Sequence, residues 1–329
     1  MLKLFRSQIV FFPLALIVIL MAFLRLNVYA EGFFVNHWET NLAPLSVATK
    51  MLLGSLLTQN LWFNLIFSAV LMFIQASITV TILNYFKVEA LKGFLVAWLY
   101  VLILHLFPAF VFLSPELIAA TLILLALEKF IFIDESRNKL KQVFTAGLML
   151  SLATAFWIPS IFFLPLAVSA LIRANFFSVK IFLSLLLSFS IPFIYAYSFL
   201  YLSGLPFSHI RGIQLNQFYF DFYKPKEFLS LTVLILIVML SLPLVFNFFS
   251  KTLKKPKEFF SLLWLYVFLV FVLFFFQNDN TVNILILMVF PVSIILSVYF
   301  NRIKRNFVAE ALHLVLLLSI IVNFIYFLK

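Results

Sequence analysis

The sequence predicts an all-α, polytopic transmembrane helix bundle, and three observations carry that prediction. Hydrophobic residues make up 65% of the 329 and charged ones 11%, too few polar side chains to cover a soluble core of this size. Apolar runs near or above about 18 residues, the length that spans ~30 Å of hydrocarbon, recur along the chain. The apolar-out, polar-in alternation of a membrane β-barrel is absent. Backbone groups go unpaired in lipid only at high cost, so nearly all of the chain is expected to be helical.

The expected spans, in order, are 8–26, 61–83, 93–112, 117–133, 178–202, 228–249, 259–276, 282–300 and 308–328. They make about nine full crossings in a single transmembrane domain, 1–329. The first has a basic lead (Lys3, Arg6), and Val28-Tyr29-Ala30 mimics a signal-peptidase site. Ile9 to Leu24 is uncharged and long for a signal sequence, so an uncleaved first helix is expected. Residues 143–172 fit no ordinary span. As one helix they would run about 45 Å, and they are too few for two crossings. Pro159 and Pro165 interrupt them, with Trp157 at the break. The expectation is a re-entrant hairpin of two half-length helices, which membranes tolerate where protein or a water-filled cavity lines the break.

Charge orients the chain. The net charge is +11, and no motif ties it to nucleic acid. With the hairpin, the inner connectors hold Lys3 and Arg6; Lys87 and Lys92; Lys129, Arg137, Lys139 and Lys141; Arg173 and Lys180; Lys251, Lys254, Lys255 and Lys257; and Arg302, Lys304 and Arg305. These are 17 of the 23 basic residues. A single crossing at 143–172 would turn two tight basic loops outward, against the positive-inside rule. The N-terminus is therefore expected in the cytoplasm and the C-terminus outside.

Two connectors are long, 27–60 and 203–227, and both fall outside. Leu45, Met51, Leu52, Leu56 and Leu57 recur at near-helical spacing in the first, as in a helix lying in the interface, with Pro44 suited to its first turn. Glu31, His37 and Glu39 gather in the same connector. A carboxylate at headgroup depth can take a proton from an attacking hydroxyl, and His37 with Glu39 could hold a divalent metal ion. The second connector offers His209 and Arg211, with Phe218, Tyr219, Phe220, Phe222 and Tyr223 behind them. Arg can grip a phosphate with paired donors. The plain reading of both groups is solvated loop and headgroup anchor.

Ionisable residues within the spans are few: His105, Glu116 and His313, with Asn64, Gln75 and Asn323 as polar company. His105 stands one turn before Pro108, where it could bond a freed carbonyl. Asp279 reads as a turn residue. No cysteine is present, which excludes thiol catalysis, disulfides and thiolate metal sites. No nucleotide loop, HExxH or GxSxG appears.

A first span running into an acidic outer connector with an interfacial helix, and a basic inner loop leading into "FTAGLMLSLATAFWIPSIFFLPLAVSAL", resembles the C-type (GT-C) glycosyltransferases over residues 1–225. More narrowly the chain resembles small bacterial integral membrane proteins of similar length. The resemblance implies an inner-membrane enzyme that moves a sugar from a polyprenyl-phosphate donor to an acceptor at the outer face. It places Glu31 or Glu39 as acid/base or metal ligand, and Arg211 with His209 on the lipid phosphate. The chain departs from the family in lacking an Asp or paired-acid motif in the first loop, and in lacking a soluble domain. A non-catalytic membrane subunit, binding a protein partner or membrane lipids, is the alternative. A transporter ranks third, because no repeated half with matching broken helices is present.

Overall fold

The structure, a computed structural model, describes Met21, Leu24, Arg25, Trp38 and residues 43–86, 94–202, 225–252, 254–274, 281–303 and 306–327. From residue 43 on, eleven α-helices are described in order: α1 Pro44–Gln59, α2 Leu61–Tyr85, α3 Leu95–His105, α4 Pro115–Ile131, α5 Lys139–Phe156, α6 Leu164–Arg173, α7 Val179–Leu202, α8 Pro225–Ser250, α9 Lys254–Leu273, α10 Thr281–Arg302 and α11 Asn306–Phe327. No strand occurs among the described residues. Among the described residues five stretches, Leu61–Tyr85, Val179–Phe199, Leu231–Ser250, Pro256–Leu273 and Ile284–Arg302, are long and apolar enough to cross a membrane.

Local chemistry sets the helix starts. Asn60 caps α2 by accepting from Phe63 N at 3.0 Å. Ser114 caps α4 from Leu117 N at 3.1 Å, and Asn138 caps α5 from Lys141 N at 3.1 Å. Each satisfies an N–H that the first turn leaves without a helical acceptor. Pro44 and Pro115 occupy first-turn positions, where a missing N–H costs nothing. α1 kinks at Leu53, whose φ of −122° and ψ of 15° leave the helical region. Its first half is largely covered; beyond it Met51, Leu52, Leu53 and Leu56 are exposed.

α3 departs from the expected crossing over 93–112. It stops at His105 after 11 residues, all of them buried. That is about 16 Å of helix, half of a hydrocarbon core. Pro108, which can donate no backbone hydrogen bond, opens a 3-10 segment over Pro108–Val111.

The helices alternate between two ends. Tyr85 closing α2, Phe130 and Ile131 closing α4, Arg173 closing α6 and Phe259 opening α9 line one cleft. Arg302, closing α10, lies over the Phe248 ring near the end of α8 at 4.6 Å. This is the basic end: it carries Lys129, Arg137, Lys139, Lys141, Arg173, Lys180, Lys251, Lys257 and Arg302. α5 leaves it, with Gln142 Nε2 donating to Lys129 O at 3.3 Å. The chain breaks at Trp157, passes through a 3-10 segment, Ile158–Phe163, that contains Pro159, and returns along α6 to the same end. α5 packs between α4 and α7, α10 against α3 and α8, and α11 against α8.

Candidate functional site

The polar chemistry of the described bundle concentrates at the far end, around the chain between α3 and α4. α2 contributes a stripe at Asn64, Ser68, Met72, Gln75 and Thr79, spaced three or four residues apart and so on one face. All five have no exposed surface.

That stripe meets residues 106–114, whose irregular backbone frees amides and carbonyls that water cannot reach. Side chains from distant segments take them up. Asn323 Nδ2 on α11 donates to Leu106 O at 2.7 Å. Ser68 Oγ donates to Val111 O at 2.6 Å, and Arg25 Nη1 reaches the same oxygen at 3.1 Å. Leu113 N donates to Asn64 Oδ1 at 2.6 Å, while Leu113 O accepts from Trp38 Nε1 at 3.1 Å. An unpaired backbone group in hydrocarbon costs several kcal/mol, so these contacts hold the break in place.

Arg25 is the unusual member. Its side chain is buried, and Nη1 also donates to Leu65 O and, at 2.6 Å, to Ser68 Oγ. Nη2 faces Met72 Sδ at 3.1 Å, a weak acceptor. Its Nε finds no partner, and no carboxylate of a described residue pairs with it. Among the described residues, every acceptor around this guanidinium is neutral.

A second network lies deeper. Gln75 Nε2 donates to Leu117 O at 3.0 Å and to Thr121 Oγ1 at 2.6 Å, and Tyr100 Oη donates to Gln75 Oε1 at 3.0 Å. It ties α2, α3 and α4 together with its groups satisfied. Trp98 Nε1 donates to His313 Nε2 at 2.7 Å, joining α3 to α11. His105 bonds Val101 O through Nδ1 at 2.8 Å. The carbonyl only accepts, so that nitrogen carries the proton and buried Nε2 is an acceptor, without a partner among the described residues. Glu116, in the first turn of α4, is 4% exposed and so is not bathed in solvent; a helix N-terminus favours its charge.

Glu31, His37, Glu39, His209 and Arg211 lie outside the described residues. Trp38, between His37 and Glu39, is described. Its ring is buried with Leu113 and packs against Phe63, Leu71 and Ile118, so the first long connector is tied to the start of α4 at that point. Sequence reasoning passed over Arg25 and Trp38. The signal available was a lone cation closing an apolar run and an indole N–H, both of which need acceptors once buried. Among the described residues no group of three His, Asp or Glu is placed to hold a metal ion.

No curated protein and no solved structure matches the chain. The sequence profile of one family matches residues 43–329, from the residue before α1 through the last helix. The chain belongs to that family, a family of unknown function (DUF6427).

Proposed function

We propose that the chain is a glycosyltransferase of a bacterial inner membrane, moving a sugar from a polyprenyl-phosphate donor to an acceptor at the outer face. In this reading it crosses the membrane about nine times around the α5–α6 hairpin, on a GT-C-like plan, with the basic end in the cytoplasm. Glu31 or Glu39 takes the proton of the acceptor hydroxyl, and Arg211 with His209 holds the lipid phosphate. His37 beside Glu39 supplies a further contact to substrate, or to a divalent ion.

One observation supports this reading above the others. The described residues that bracket both long connectors belong to the far end of the bundle. Arg25 and Trp38 contact the α3–α4 connection there. α7 starts at the basic end and runs 24 residues, about 36 Å, to Leu202, and α8 returns from Pro225. In this reading the groups of the two connectors, remote from each other in the chain, act together at that face, as a donor–acceptor site requires.

The test is sugar transfer from a radiolabelled polyprenyl-phosphate donor by membranes carrying Glu31→Gln, Glu39→Gln or Arg211→Gln. Loss of the acid/base is expected to slow transfer roughly 10²- to 10⁴-fold with insertion unchanged. Full activity in all three variants removes the reading.

A non-catalytic membrane subunit is the second reading. It is favoured by the buried polar groups of the described bundle, most of which are spent on backbone. It predicts no transfer by the purified chain and recovery of activity only with a co-purifying partner.

A further inference from the structure

The cleft at the basic end has about 70 Å³ of space. Sites for whole soluble ligands take roughly 300 Å³ or more, so a ligand could enter this one only in part. Its walls are aromatic and aliphatic: Tyr85, Phe86, Phe130 and Phe259, with Ala170 and Ala174 leaving the space open. Phe86 and Phe259 stack at 4.5 Å between ring centres.

Arg173 supplies the polar group. Its Nη1 donates to Glu258 O at 2.9 Å and its Nη2 to Ser261 Oγ at 2.6 Å. These bonds hold the guanidinium in one orientation and use two of its five N–H donors, leaving three. Glu258 is the one acidic residue lining the cleft. Around it, nine basic side chains face Glu128, Glu258 and Glu310 among the described side chains. An apolar wall, an oriented guanidinium and a positive field at the end of a membrane bundle suit one class of molecule.

We infer that this cleft binds an anionic phospholipid, with the phosphodiester on Arg173 and the first part of the lipid body against Phe86, Phe130 and Phe259. The paired donors of a guanidinium match phosphate oxygens, and a basic surface draws anionic lipid. The chains remain in the bilayer, which is why the cleft is small. The site stands apart from the donor chemistry proposed above, because both long connectors are bracketed at the opposite end.

The intact chain in detergent, supplied with equal phosphatidylglycerol and phosphatidylcholine, is read by native mass spectrometry for retained lipid. One phosphatidylglycerol is expected, preferred by roughly fivefold or more, the effect of one basic side chain on an anionic headgroup. Ala170→Phe fills the cleft at unchanged charge and should abolish the preference. Arg173→Lys keeps the charge, loses the fork and should reduce it. Lys50→Gln, on α1 and away from the basic end, should leave it. An undiminished preference in Ala170→Phe puts the lipid elsewhere and overturns the proposal. If that variant does not fold, an undiminished preference in Arg173→Gln overturns it equally. Release of the lipid by excess inorganic phosphate also overturns it, because the site would then take a free anion.

Discussion

Arg25 and Asn64 serve the same stretch of backbone, yet their removal should differ in cost. Asn64 Oδ1 is the acceptor that meets Leu113 N. Asn64→Leu strands that amide in a dry interior and should cost about 1–3 kcal/mol of stability. Of the carbonyls that Arg25 meets, Val111 O keeps Ser68 Oγ as its donor, and Leu65 O lies within α2, where the helix supplies a backbone donor. Arg25→Met also removes a buried charge whose described acceptors are all neutral, and uncompensated charge is expensive. Thermal unfolding in detergent should therefore place Asn64→Leu clearly below Arg25→Met. The reverse order would mean that the guanidinium, rather than the asparagine, holds the break between α3 and α4.

At the scale of elements, the α5–α7 contact decides how the broken pair α5–α6 sits. Gly147 faces Ser188: a Cβ added there would collide with Ser188 Oγ and lie 3.1 Å from Leu185 Cδ1 and 3.2 Å from Ser188 Cβ. Ser151 Oγ, one turn on, donates to Phe189 O. Small residues let membrane helices approach closely and bond across the seam. Gly147→Ala gains about 1 kcal/mol of helix propensity. Overpacking costs about 1–3 kcal/mol, so the variant should unfold earlier. Adding Ser188→Ala removes the colliding hydroxyl and should restore part of the loss. A raised unfolding temperature in Gly147→Ala, the propensity gain unopposed, would show that the two helices are not in close contact. The glycine that contributes to the resemblance thus has a packing role in this fold.

For the whole molecule, the gathering of basic side chains at one end predicts the orientation. The chain has no cysteine, so single substitutions report without background. Arg137→Cys, exposed at the basic end, should react with an impermeant thiol reagent only after cells are opened. Leu52→Cys, 69% exposed on α1, should react in intact cells. Labelling of Arg137→Cys from outside would invert the topology and move both long connectors to the cytoplasm, where the proposed outer-face acceptor could not be met.

Composition and apolar run length, by themselves, determined that the chain is all-helical and membrane-bound, because a bilayer admits few other ways to pair a backbone. Pro159 marked the irregular segment after α5, whereas the expected span 93–112 ran through Pro108, before which α3 stops short. The sequence also singled out Asn64, Gln75, His105 and Asn323 as polar residues within apolar runs. What each bonds was decided only by tertiary structure. Asn323 reaches a carbonyl 217 residues away and Arg25 one 86 residues away, and no local period encodes such a pairing. A side chain's acceptor is set by which helices pack side by side, and that follows from the summed fit of many apolar surfaces rather than from the residues next to it in the chain.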